Sequence, residues 1–293
     1  MASSSRHASD RLLPPGLSRA GTAVLLVFIA APLLYLIELA LSPNTTVALG
    51  GNSVSHLTFS NFGTMWSATS LLHGLINSVI IAGIAAVLAV VLGAAAAYPL
   101  ARLRFWARLP LLYSLLGSQS IPGLALLLPL YIMLAGIQGL LGVHLIGNYP
   151  AIIAVYMTFG LPLATVVCFV YLRGMPKDLE EAALVDGCTR VAALRRVVAP
   201  LMAPAMVVSG VFAFLVGWND VLFASALTDS GTQTVAITLQ QFGLDQSETF
   251  GAQPLYGDLM AAALVSSIPV VVLYLAFQRY LTAGLAAGAL SGA

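Results

Sequence analysis

Hydrophobic residues gather into six long runs, at about 20–41, 75–98, 110–134, 150–172, 202–226 and 259–278, with polar residues filling the gaps. Each run supplies the roughly 20 apolar residues that a helix rising about 1.5 Å per residue needs to cross a bilayer. Helix is predicted for all six, because hydrocarbon offers the backbone no hydrogen-bond partners. Two runs interrupt themselves, the third at Ser118-Gln119-Ser120-Ile121-Pro122 and Pro129, the fourth at Gly160-Leu161-Pro162. Such kinks free carbonyls that can line a cavity, and they also occur in ordinary packed bundles.

Basic residues sort the gaps into two sets. They occupy the N-terminal tail (Arg6, Arg11, Arg19), the stretch after the second run (Arg102, Arg104, Arg108) and the stretch after the fourth (Arg173, Lys177, Arg190, Arg195, Arg196). Arg279 ends the sixth run. The gaps 42–74, 135–149 and 227–258 contain none. The positive-inside rule therefore predicts cytoplasmic termini and a cytoplasmic 173–200 insert. Gly21–Leu41 is longer than a signal-peptide core of about 7–15 residues, which predicts a retained anchor.

The insert is unusually polar for this chain. Asp178, Glu180 and Glu181 suit the positive end of a helix dipole, Pro176 suits a first turn, and Gly187 suits a helix terminator. Thr189 is positioned to cap a second short helix, in which Val191, Leu194 and Val198 recur at helical spacing before Pro200 closes the run. Two short helices about a glycine bend are predicted, charged on one side and apolar on the other. In the outer gap 227–258, the alternation of TVAITLQQF fits either a short strand or an irregular cap. Asn44-Thr45-Thr46 has the form of a glycosylation acceptor, a pattern short enough to arise by chance.

Composition narrows the function classes. A chain of 293 residues that is 59% hydrophobic and 8% charged belongs with membrane proteins, and a net charge of +1 suggests no polyanionic partner. Cys168 and Cys188 are too far apart for a CxxC pair, and their spacing makes no zinc site. The sole lysine, Lys177, follows a proline, so the chain has no phosphate-binding loop. His7, His56, His73 and His144 form no HExxH pair, and neither GxSxG nor GxGxxG occurs. A non-catalytic chain that binds no cofactor or metal is expected.

Polar groups within or beside the runs are the candidates for a solute pathway: Asn77, Gln119, Trp218, Asn219 and Asp220. A charge at the bilayer centre costs about 3 kcal/mol on insertion scales, so Asp220 must face protein or water. It fits a pathway residue, a helix-packing hydrogen bond or a wetted interfacial acid. Glu38, three residues before Ser42, is read as interfacial. Gly284, Gly288 and Gly292 have GxxxG spacing but follow the last run.

Glu181-Ala182-Ala183, Asp186-Gly187, Val197 and Pro200 resemble the EAA loop of membrane subunits of binding-protein-dependent ABC importers. That pattern runs EAA, three residues, Gly, nine residues, then Ile-x-Leu-Pro. Here Val197 and Ala199 replace the Ile and Leu. LTFSNF, NSVIIAG, AYPLARLRF, LRGMPKDLEEAALVDG, WNDVLFASALT and IPVVVLYLAFQRYLTAGLAAGAL extend the likeness over about 55–290, to the MalG-like branch of carbohydrate permeases. The tail departs from that branch at Ala286 and Ser291, where Thr and Lys are usual.

The resemblance implies an all-α membrane protein with six transmembrane helices, the type I ABC importer (MetI-like) permease fold. It implies a tail at 1–19, an anchor helix at 20–41, a permease core at 70–282 with a coupling loop at 173–200, and a tail at 283–293. It further implies sugar import in a bacterial inner membrane. The partners would be a second permease, two cytoplasmic ATPase subunits that bind ATP-Mg, and an extracytoplasmic solute-binding protein. The coupling loop would act through Glu181, Ala182, Ala183, Asp186, Gly187, Arg190 and Pro200. An ion-coupled secondary transporter would need no such loop and would carry mid-membrane carboxylates, for which only Asp220 is a candidate. A membrane assembly scaffold would not need kinked spans.

Overall fold

A computed structural model describes residues 15–48, 57–248 and 255–290. Arg6, His7, Arg11, His56, Ser291 and Gly292 lie outside the described residues. Those described form helices joined by turns: α1 (Pro15–Ala40), α2 (Asn44–Ala48), α3 (Ser60–Ala68), α4 (Leu71–Arg102), α5 (Arg108–Ser118), α6 (Gly123–Leu141) and α7 (Tyr149–Gly174). Then come α8 (Asp178–Val185), α9 (Arg190–Ala193), a π turn (Leu194–Val198), α10 (Ala199–Leu201), α11 (Ala203–Asn219), α12 (Leu222–Leu227), α13 (Val235–Glu248) and α14 (Tyr256–Leu290). Among the described residues, five helices are long and apolar enough to span a membrane: α1, α4, α6, α7 and α14. The Arg190–Leu201 segment and α11, bent by 70° from one another, meet the same length and hydropathy only together, as one broken stretch.

Three expectations change. The third run is two helices, with Gln119 to Pro122 between them. Gln119, Ser120 and Ile121 close tight turns onto Leu116, Gly117 and Ser118, and Pro122 starts the next helix because it has no N–H to continue the last one. The third span is therefore Gly123–Leu141, ended by Gly142 in the left-handed region at φ 65°. The fifth run breaks at Asp220, whose extended backbone (φ −74°, ψ 127°) ends α11. From Val235 onward TVAITLQQF is helical rather than a strand or an irregular cap, with Val235, Ile237, Thr238 and Phe242 buried.

The chain divides into two compact units. Of the described residues, one holds 15–48, 57–68, 245–248 and 255–265. In it Asn61, fully buried, donates its amide to the Ala40 and Ser42 carbonyls at 2.8 Å each, closing the end of α1. Thr64 Oγ1 donates to Asp258 Oδ1 at 2.7 Å, and Asn44 Oδ1 accepts from Gly257 N at 2.8 Å.

The other unit holds 69–244 and 266–290 of the described residues and is built on α4, α7 and α11. Small residues let these three approach closely, which substitutes for the hydrophobic driving force that lipid removes. A Cβ added at Gly93 of α4 would lie 2.8 Å from Ala164 Cβ of α7, and one at Gly217 of α11 would lie 2.7 Å from Tyr156 Cδ2. Two apolar clusters result. One surrounds Ile152, Tyr156, Phe223 and Leu227, and the other surrounds Ala97, Leu172, Val198 and Met202.

Candidate functional site

The insert between α7 and α11 folds as its sequence predicts, from α8 onward. Pro176 lies ahead of that helix, which begins at Asp178 with three acids in its first turn. The helix ends in a Schellman motif: Gly187 N donates to Leu184 O at 3.1 Å and Cys188 N to Ala183 O at 3.0 Å. Gly187 sits at φ 86°, where an L side chain is strained. Thr189 Oγ1 then accepts from Ala192 N at 3.2 Å and starts α9. Pro200 lies inside α10, and the chain turns at Met202, because Pro204 in the first turn of α11 supplies no N–H to extend the earlier ladder.

The insert has two faces. Ala183, Ala193, Val198 and Met202 point inward and are buried. Glu181, Ala182, Asp186, Gly187, Arg190 and Pro200 are exposed. Among them stand two bare hydrophobic side chains, Val185 at 87% and Val191 at 66% exposure. Of the predicted docking residues, only Ala183 is turned into the protein.

Sequence reasoning missed the contact that fastens this insert. Tyr98 Oη donates to Glu180 Oε1, and Arg102 Nε lies 3.2 Å from Glu180 Oε2. The Arg102 and Glu180 side chains are 7% and 13% exposed. Arg102 Nη2 also donates to Met175 O at 3.3 Å. Tyr98 and Arg102 share one face of α4 by i, i+4 spacing, but Glu180 is 78 positions beyond Arg102, so no local pattern reveals the pair.

The polar candidates in the spans fall into two groups. Asn77 and Trp218 are buried among protein groups. Asn77 Nδ2 donates to Gly231 O and Gln233 O at 3.1 and 2.9 Å, and Asn77 Oδ1 accepts from Tyr149 Oη at 2.7 Å. Trp218 stacks on Phe214 with ring centroids 5.3 Å apart. Gln119 and Asn219 are exposed, each at a helix break. Gln119 Nε2 donates to Phe159 O at 3.0 Å, and the Phe159 ring meets Phe223 at 5.2 Å, so the two breaks converge on one aromatic pair. Asp220 accepts from Ala224 N at 2.9 Å, from Phe223 N at 3.1 Å and from Tyr156 Oη at 3.0 Å. Its carboxylate is thus engaged in starting α12 and holding α7.

The model of the binding-protein-dependent transport system inner membrane component family matches residues 89–286. The chain belongs to that family. A trehalose transport system permease protein, SugB of Mycobacterium tuberculosis, is 38% identical over 263 residues, covering 89% of this chain and 92% of that protein. The trehalose/maltose transport system permease protein MalG of Thermococcus litoralis is 31% identical over 217 residues, 74% of each. Among solved structures, a chain of a bacterial ABC transporter involved in import of the acidic polysaccharide alginate superposes with a TM-score of 0.76 at 18% identity. That superposition covers 95% of this chain and 99% of the other, and shows the shared permease fold. This is an inner-membrane permease subunit with several spans.

Proposed function

We propose that this permease forms half of the translocation pathway of an ATP-driven sugar importer, with a neutral disaccharide such as trehalose as substrate. The observation that carries the reading is the exposed face of the insert. It presents two uncovered valines, Val185 and Val191, together with exposed Glu181, Asp186 and Arg190, in the order of an EAA loop. Apolar side chains surrounded by opposite charges suit an interface that must dock in one orientation. The occupant would be a separate cytoplasmic ATPase subunit that binds ATP-Mg, so hydrolysis would occur outside this chain. The arginine-bearing ends of the spans would then face the cytoplasm.

A second permease would complete the pathway, and a sugar-loaded binding protein would deliver solute from the opposite side. Closure of the ATPase pair would push on the insert, and the breaks at Gln119–Pro122 and Asp220–Val221 would let the spans bend. Exposed Gln119 and Asn219 offer amide groups that exchange hydrogen bonds with sugar hydroxyls. The stretches Arg19–Ala40, Leu71–Arg102, Gly123–Leu141, Tyr149–Gly174 and Tyr256–Tyr280 carry arginine only at or beside their ends, which favours a neutral solute over an acid. The relatives named for trehalose and maltose support the sugar class.

The test is uptake by the whole complex, purified with its partners and reconstituted in vesicles, using radiolabelled trehalose. Import that requires MgATP and the binding protein is expected. Import driven by a proton or sodium gradient without ATP would overturn the reading.

A further inference from the structure

Glu180 has a different task from its neighbour Glu181. Glu181 is exposed, whereas both oxygens of Glu180 are held by α4, one by the Tyr98 hydroxyl and the other by the Arg102 guanidinium. The Arg102 contact is an ion pair without an aligned hydrogen bond at Nε, and Arg102 also holds the Met175 carbonyl just before the insert. Helix α8 is therefore pinned to α4 near its start. Its other end is the Gly187 bend, where no neighbouring atom lies within 4 Å of an added Cβ. That bend leads into α9, and Ala183 packs inward, so the Glu180 contact is the direct side-chain attachment through which a push on the exposed insert reaches α4.

The far end of α4 is anchored just as firmly. Asn77 donates to the carbonyls of Gly231 and Gln233, and Ser78 Oγ accepts from Val235 N at 2.8 Å. About 37 Å of helix separates Asn77 from Arg102 at 1.5 Å per residue. One continuous helix thus joins the insert to the 231–235 segment. Both attachments are side-chain contacts to elements distant in sequence.

We infer that Tyr98, Arg102 and Glu180 are positioning residues that make α4 the strut carrying motion of the insert to the 231–235 segment. The inference rests on the docking reading above. A pair that served folding alone would lower stability but leave the two ends of α4 responding together.

The test is hydrogen exchange of the assembled complex in nanodiscs, with and without MgATP plus vanadate. In the wild type, exchange in both the insert and 229–235 is expected to change on adding nucleotide. In Glu180→Gln and Arg102→Gln the insert should still respond, while the change at 229–235 falls by about five-fold or more, the low end of ordinary coupling between sites. The charge swap Glu180→Arg with Arg102→Glu should regain most of it. A response at 229–235 that persists in both single variants, is absent from the wild type, or is not regained in the swap overturns the strut. Val185→Asp separates the two readings. If it leaves ATPase capture intact, the docking reading fails. If it abolishes capture while the Glu180→Gln complex keeps its distal response, only the strut fails.

Discussion

The Tyr156 hydroxyl donates to Asp220 Oδ2 at 3.0 Å and so ties the middle of α7 to the gap between α11 and α12. The same oxygen accepts the Phe223 and Ala224 amides, so one carboxylate serves as helix cap and as interhelical bridge. Asp220→Ala removes the cap and strands the Tyr156 hydroxyl. We expect about 2 kcal/mol or more of destabilisation. Tyr156→Phe should cost less, and the double variant should show coupling between the sites in thermal unfolding in detergent. A purely pathway role would instead leave unfolding unchanged and slow transport.

Close approach between α4 and α7 depends on Gly93. A Cβ there would meet Ala164 Cβ at 2.8 Å and Thr165 N at 2.9 Å. Gly93→Ala is expected to destabilise the protein by about 1–3 kcal/mol through overpacking. Gly83→Ala lies on the same helix with nothing within 4 Å, and helix propensity predicts no loss, or a gain of up to about 1 kcal/mol. Thermal melting of the two variants side by side checks the difference.

Gly187 separates backbone strain from steric clash. Its φ of 86° penalises an L residue, while the space around it is open. Gly187→Ala should therefore cost about 1–2 kcal/mol, and Gly187→Asn less, because asparagine tolerates this region better. Gly187→Pro cannot adopt a positive φ and removes the N–H bonded to Leu184, so it should disrupt the bend and coupled uptake while the spans still assemble. Normal ATP-dependent uptake by Gly187→Pro would contradict this role for the bend.

Much of this architecture was legible in the residues. Hydrophobic run length located the spans, and the order of acids, Gly187, Thr189 and Pro200 gave the helices of the insert. The Ser118–Pro122 interruption marks the first break in the residues, but hydropathy averages across it and across Asp220, so 110–134 and 202–226 read as single spans. The turn after Ser118 and the extended backbone at Asp220 leave the surroundings just as apolar. TVAITLQQF alternates locally, yet it is helical from Val235, a conformation decided by packing rather than by the stretch itself. The Tyr98–Arg102–Glu180 contact and the tie from Asn77 to residues 231 and 233 join positions dozens of residues apart, and a single sequence carries no signal for such pairs.

If the exposed face of the insert receives an ATPase, that subunit should be captured with the permease. The tagged protein would be purified from its native membrane alongside Val185→Asp and Glu181→Lys. Both substitutions alter exposed side chains, where changes typically stay within about 0.5 kcal/mol of stability. The wild type is expected to bring down an ATPase and a second permease. Val185→Asp should lose most of the ATPase while retaining the second permease, and Glu181→Lys should weaken ATPase capture. Equal ATPase recovery with all three proteins would show that this face of the insert does not receive the ATPase.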